Sequence, residues 1–275
     1  MKLTILLAGE TPDALMPAHG PYAPRFEAML NAHSETFRFD TVQVHRNAPL
    51  PDPRDLEGVI VSGSAFGAYD APPWMEPLRR FIRDAYRHGL PMLGICFGHQ
   101  IMADALGGRV EKSQKGWSIG RHVYRLAPCP ECFLGEQGEE AAPGTLAVAA
   151  SHQDQVIEPP ACARVFLSSD FTPNAGLIYD NGRAMSLQPH PEFEVAYSRA
   201  ICELRRNNPM DDMQVDRAVA SLDAPLDNAR VGRALARFFV RAGKVAENDA
   251  PASCAGESRS QGKAPHASRP GMAGA

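Results

Sequence analysis

The 275-residue chain has no apolar run approaching the ~20 residues a membrane-spanning helix needs, so a bilayer span is excluded. It has no excess of either charge. The 28 Lys plus Arg against 32 Asp plus Glu leave a formal net charge of −4, and nothing points to nucleic acid or an anionic membrane as partner. Cysteine is sparse. Six in a chain this long do not make a disulfide framework, and a reducing, cytoplasmic location is expected. There is no internal repeat and no G-x-x-x-x-G-K-[ST] phosphate loop. No second Cys-x-x-Cys or His pair stands at zinc spacing to complement Cys129-Pro130-Glu131-Cys132. That pair reads as part of a surface loop from Cys129 to Gly144, and no metal or cofactor is expected. Cys162, Cys202 and Cys254 have no recognisable context. Met1 to Gly9 is too short for a signal sequence and is followed at once by Glu10 and Asp13, so it reads as a buried strand.

What is present is an ordinary globular composition, 44% hydrophobic and 22% charged, arranged in alternating periods. Strands are expected at Lys2 to Ala8, Phe37 to Val44, Leu56 to Val61 and Pro91 to Ile95. Helix faces are marked by Tyr22, Phe26, Met29, Leu30 and His33, by Leu78, Phe81, Ile82 and Ala85, and by Ile101, Met102, Ala105 and Leu106. This alternation predicts an α/β fold, a parallel sheet with helices on both faces. From Arg121 to Leu187 five short strand candidates joined by Gly, Pro, Asn and Asp suggest a small antiparallel layer covering that sheet. Val231, Ala234, Leu235, Phe238 and Phe239 mark a last helix. One domain is expected over 1–243. From 244 to 275 the chain is rich in Ala, Gly, Ser and Pro without aromatics, and a disordered tail is expected.

The apolar strand Pro91 to Ile95 ends in Cys96, with Gly94 and Gly98 two residues to either side and a helical pattern directly after. This is the sequence form of a nucleophile elbow. Glycines let neighbouring backbone crowd the turn, and the helix N-terminus favours thiolate. Open α/β sheets place sites at the carboxyl ends of strands, where Ser62-Gly63 and Cys96 both fall. Downstream, Gln188-Pro189-His190-Pro191-Glu192 is expected to be extended, because Pro191 disfavours helix at His190. His190 and Glu192 would then point to one side, with Glu192 holding the imidazole that serves the nucleophile. His152 is the rival base, with no carboxylate two residues away in a Pro-stiffened segment.

Gly94-Ile95-Cys96-Phe97-Gly98-His99-Gln100 together with His190-Pro191-Glu192 resembles the class I (triad-type) glutamine amidotransferase family. It is more narrowly similar to stand-alone members that resemble the amidotransferase half of GMP synthetase. Val61 to Ser64, Tyr69-Asp70 through Pro73-Trp74, Gly116 to Gly120 and Ser151 to Val156 add to the likeness, which runs from about Lys2 to about Val240. The resemblance implies a flavodoxin-like open sheet and attack of Cys96 on a γ-glutamyl carbonyl. Oxyanion donors would be the N–H groups of Gly63 and Phe97. Gln100, Ser151, Gln153 and Asp154 would hold the substrate, Gln153 standing where many relatives carry glycine. Trp117 either lines the pocket or packs, and His99 is read as structural.

With no phosphate loop and only a polar stretch after Val240, a synthetase domain is not expected. Three readings are then open. One is a glutaminase-type subunit releasing ammonia from L-glutamine to a synthetase partner. Another is a stand-alone γ-glutamyl peptidase acting on glutathione-like compounds, since Gly116-Trp117-Ser118-Ile119-Gly120 resembles the Gly-Trp-Asp-Ile-Gly of plant γ-glutamyl peptidases. The last is a non-catalytic regulatory binding protein, against which the complete Cys96, His190 and Glu192 set speaks.

Overall fold

A computed structural model describes residues 1–33, 37–128, 130–133 and 144–244. Cys129, Cys254, most of the loop expected before Gly144 and the tail expected after Lys244 lie outside them. The strands are β1 (Lys2–Leu6), β2 (Arg38–Val42), β3 (Val59–Val61), β4 (Met92–Ile95), β5 (Arg109–Lys112), β6 (Ser118–Leu126), β7 (Thr145–His152), β8 (Asp154–Glu158), β9 (Ala163–Ser168), β10 (Gly176–Tyr179) and β11 (Ala184–Leu187). The helices are α1 (Met16–His19), α2 (Ala23–Asn31), α3 (Met75–Arg87), α4 (Phe97–Ala105), α5 (Val195–Glu203), α6 (Asp212–Ser221) and α7 (Asn228–Lys244).

Strand alternation decides what packs where. On one face, Leu3 and Ile5 of β1 join Phe26 and Leu30 of α2 and Leu235 and Phe239 of α7. On the other, Leu6 joins Val59 and Val61 of β3, Leu78, Phe81 and Ile82 of α3, and Ile101 and Met102 of α4. All the expected helix-face residues from Leu78 to Ala85 and from Val231 to Phe239 are buried. Each large side chain so buried costs about 2–5 kcal/mol to truncate. Helix α4 is buried nearly all round, being covered by α3 as well as by the sheet.

Nine strands form one mixed sheet in the order β2-β1-β3-β4-β11-β10-β9-β6-β7. From β2 to β11 neighbours are parallel. The order reverses between β1 and β3, and the crevice at their carboxyl ends is where such sheets bind ligands. The short strands of the middle segment differ in placement from the expected covering layer. Strand β11, buried at all four residues, pairs with the open edge of β4, and β10, β9, β6 and β7 continue edge to edge. Pairing leaves no apolar strand edge bare beside β4. A separate antiparallel pair is made by β5 and β8. Neither was anticipated: β5 reads Arg-Val-Glu-Lys, and β8 follows β7 past the single residue Gln153.

The outer edge of β7 is held by side chains and loops. The carbonyl of Thr145 accepts from Arg230 Nη1 at 3.0 Å. Ala147 donates to Asp227 Oδ2 and accepts from the Asp227 N–H, both at 2.7 Å. The Ala149 carbonyl accepts from the His190 N–H at 2.8 Å. Alternate residues thus reach β7's far end, beside Cys96.

Candidate active site

Cys96 takes φ 54° and ψ −104°, a conformation a non-glycine residue holds only when its surroundings impose it. Its N–H donates to Leu187 O at 2.8 Å and its carbonyl accepts from Gln100 N at 3.1 Å. A Cβ on Gly98 would lie 2.0 Å from Val61 O, and one on Gly94 2.5 Å from Gly98 O. The two glycines therefore let α4 press against β3 and β4 and turn Cys96 outward from the sheet end, as the elbow pattern requires. The sulfur lies at the N-terminus of α4, 4.0 Å from the Ser151 carbonyl oxygen. Gln188 Nε2 donates to it at 3.7 Å, while Gln188 Oε1 accepts from Gln100 Nε2 at 3.2 Å.

His190 and Glu192 come together, by a route other than the expected extended chain. The Phe193 N–H donates to His190 O at 3.3 Å, closing a turn with Pro191 at its second position, where a fixed φ is favoured. The turn folds the carboxylate back, and His190 Nδ1 lies 2.7 Å from Glu192 Oε1. The ring stacks on Phe193, centroids 4.0 Å apart. Glu192 Oε1 also accepts from Tyr22 Oη at 2.7 Å. Burial opposes charge on His190, but the negative charges of Glu192 and of the Cys96 sulfur outweigh it and carry its pKa up to about 10.

The other histidines behave oppositely. His152 is buried, its Nδ1 is 3.2 Å from the Asp154 carbonyl oxygen, and burial first, then nearby His122 and His190, push it down to about 3. His99, on α4, is buried with Nδ1 2.8 Å from Ser186 Oγ, and burial likewise pushes it down to about 3. Both are neutral at physiological pH.

A cavity of about 310 Å³ opens over the sulfur, and Cys96, Gln100, Ser151, Gln153, Asp154 and Trp117 all line it. Gln100 also donates to the Asp154 carbonyl at 2.9 Å, so its amide nitrogen is committed to protein. Gly63 lies at the end of β3. Its absent Cβ would come 2.9 Å from Tyr22 Oη and 3.3 Å from His190 Cε1. Ser62 Oγ accepts from Ala8 N at 2.9 Å and donates to Gly63 O at 3.0 Å, fixing this strand end. Phe97 opens α4, where N–H groups have no partner within the helix.

Tyr22 and Arg205 were not foreseen as site residues. Arg205 lines the cavity with its guanidinium 3.9 Å above the Trp117 ring. It has no ion pair among the described residues, its buried Nε has no hydrogen-bond partner, and burial lowers its pKa. Neighbouring Arg206 instead pairs with Glu203, Asp212 and Asp216. Two adjacent arginines with an acidic cluster for only one are a signal the sequence does contain. Tyr69, also lining the cavity, bonds Asp154, and desolvation, then that carboxylate, raises its pKa to about 12. Among the described residues no group of three or more His, Cys, Asp or Glu could hold a metal ion.

An elbow cysteine beside a buried histidine–carboxylate pair, on a sheet of this order, defines a class of protein that the comparisons make specific. The family model "Glutamine amidotransferase class-I" matches residues 25–200. The chain belongs to that family. It is 30% identical over 199 residues to gamma-glutamyl peptidase 4 of Arabidopsis thaliana, covering 70% of this chain and 76% of that one. It is 35% identical over 138 residues to the GMP synthase of Azoarcus, covering 50% of this chain but only 25% of the synthase. A solved glutamine amidotransferase from Thermotoga maritima superposes with a TM-score of 0.65 at 20% identity over 88% of this chain and 97% of that one, a likeness of fold.

Proposed function

We propose that the chain hydrolyses a γ-glutamyl amide through a cysteinyl thioester. The observation that carries this is the buried His190–Glu192 pair at 2.7 Å beside an elbow cysteine that opens into a cavity. Cys96 is the nucleophile, its proton passing to His190. It adds to the γ-carbonyl, and the oxyanion forms against the N–H groups of Gly63 and Phe97. His190 gives its proton to the departing amine, leaving a thioester and a neutral imidazole. That imidazole then takes a proton from water as water attacks the thioester, and glutamate leaves as Cys96 and His190 return to their starting charges. Glu192 holds the imidazole's orientation and stabilises its charge throughout.

The cavity matches a γ-glutamyl head group. Asp154 lines it and could take an α-ammonium group, and Gln100, Ser151 and Gln153 line it too. Arg205 also lines it, a partly desolvated cation suited to a carboxylate. L-glutamine is the simplest compound of this kind, with ammonia passed to a synthetase partner in a reducing, cytoplasmic setting. No helix among the described residues is long and apolar enough to cross a membrane. A γ-glutamyl peptidase is the second reading. The match to a plant γ-glutamyl peptidase runs over three quarters of that protein, whereas the match to a GMP synthase takes in a quarter of it.

Turnover of L-glutamine and of γ-glutamyl dipeptides including glutathione, with Cys96→Ala as control, tests both. Ammonia mainly from glutamine supports the glutaminase reading. Glutamate mainly from peptides supports the peptidase. In either case Cys96→Ala is expected to lose activity by about 10³-fold or more. Full activity in Cys96→Ala rejects the mechanism.

A further inference from the structure

Glu192 is a fully buried carboxylate whose surroundings are only partly accounted for by its histidine. Its side chain is 0% exposed, and Oε2 has no hydrogen-bond partner among the described residues. Oε1 takes two donors, His190 Nδ1 and Tyr22 Oη, each at 2.7 Å. A buried carboxylate with one hydrogen bond is costly, and the second donor is what such a group needs. Tyr22 comes from the far end of the chain, 170 residues from Glu192. Its own position is fixed. The Tyr22 N–H donates to Glu10 Oε1 at 2.6 Å, and the Thr11 N–H donates to the same oxygen at 2.8 Å. The ring packs against Phe26 and Phe193, the residue on which His190 stacks. Its hydroxyl also occupies the space where a Cβ on Gly63 would lie.

We infer that Tyr22 is a positioning residue of the catalytic apparatus: its O–H fixes Oε1 of Glu192 and draws charge from it, which sets how tightly His190 holds its proton. This rests on the catalytic reading of Cys96, His190 and Glu192. The hydroxyl is suited to remain a neutral donor, since burial, then the Glu192 charge, raise its pKa far above the ordinary tyrosine value. The other titratable groups around the pair are Cys96 at the start of α4, Tyr197 on α5 and His152 on β7. Arg25 and Glu10 face Tyr197 in turn. Of these, Tyr22 alone donates to the oxygen that holds His190 among the described residues. An imidazolium too strongly held is a poor acid toward the leaving amine, so the shared hydrogen bond tunes the proton transfer.

The test is Tyr22→Phe in the full chain, with two readouts. The first is kcat and KM on the γ-glutamyl substrate turned over best. The second is the titration of the His190 ring protons by NMR, assigned with His190→Gln. Expected are a kcat lower by about tenfold, the worth of one hydrogen bond to a charged group, and KM within about twofold. The His190 titration moves to higher pH, because Glu192 then bears its full charge. In a Glu192→Gln background the same change should alter kcat by less than about twofold. An unmoved titration, or an equal loss in both backgrounds, overturns the inference. If Cys96→Ala proves fully active, the catalytic reading fails, while the titration still reports whether Tyr22 governs His190. Should Tyr22→Phe fold poorly, 3-fluorotyrosine at position 22 makes the test with the opposite sign. A more acidic donor is expected to move the His190 titration down.

Discussion

The two halves of the sheet divide the site between them. The parallel half supplies the groups proposed to react: Gly63 lies just past the end of β3, Cys96 directly follows β4, and β11 leads to His190. The antiparallel half and the β5–β8 pair beside it supply walls: β7 ends at Ser151 and His152, Trp117 precedes β6, and β8 of the separate pair starts at Asp154. The first half is tight, with strained backbone and glycines under immovable neighbours. The second carries the side chains that would meet a substrate. The same contrast separates two buried histidines near one sulfur. His190 faces a carboxylate and His152 a carbonyl, and their proton affinities move in opposite directions.

The largest effect that would sharpen this comparison comes from matched glycine substitutions. Gly98→Ala puts a methyl 2.0 Å from a backbone oxygen and is expected to cost about 3 kcal/mol or more. Gly182→Ala, in the turn between β10 and β11 at φ +66° with nothing within 4 Å, should cost about 1–2 kcal/mol. Urea unfolding midpoints compare the two, and equal losses would break the distinction between the halves.

The histidines predict opposite pH slopes of stability. His190 rises from 6.5 unfolded to about 10 folded, so its contribution is full below pH 6.5 and is lost as pH climbs toward 10. His152 falls from 6.5 to about 3, so its contribution is present above pH 6.5 and is lost as pH drops toward 3. Accordingly His190→Gln should differ from wild type most near pH 6 and progressively less up to pH 10. His152→Gln should lose less stability than wild type on acidification from pH 6.5. Unfolding free energies at intervals across both ranges check the signs.

The smallest effect is expected on the recognition side. Arg205→Gln should raise KM for γ-glutamyl substrates by about tenfold while kcat stays within about threefold. Steady-state kinetics decide it. A kcat loss as large as that of Tyr22→Phe would mean that the antiparallel half also takes part in the chemistry.

Much of the reacting half could be read from the chain, because its signals are local. Strand, Gly-Ile-Cys-Phe-Gly and helix lie within a dozen residues, and the crowding at Gly98 is what that spacing predicts. His190 and Glu192 were paired by an extended backbone that turns out to be a turn. Pro191 has the same fixed φ in either, and a two-residue separation lets both bring the side chains together. Tyr22 was legible only as one face of α2, since its partner is fixed by topology and lies 170 residues away. Strand β5 is hidden by its three charged residues, all facing water on a pair outside the main sheet. Edge-to-edge addition of β11 to β4 was not legible either. A four-residue buried strand carries no mark of which neighbour it will choose.

The row of bonds along β7 has a consequence for solubility. An uncovered outermost strand offers its N–H and C=O groups to any other extended chain, the usual route to aggregation. Here the carbonyls of Thr145 and Ala149 and both groups of Ala147 are taken, that of Ala149 by the backbone of His190 itself. The loop that delivers the proposed base is thus also a guard rail for the molecule. Damage to that loop would be paid twice, in lost turnover and in self-association.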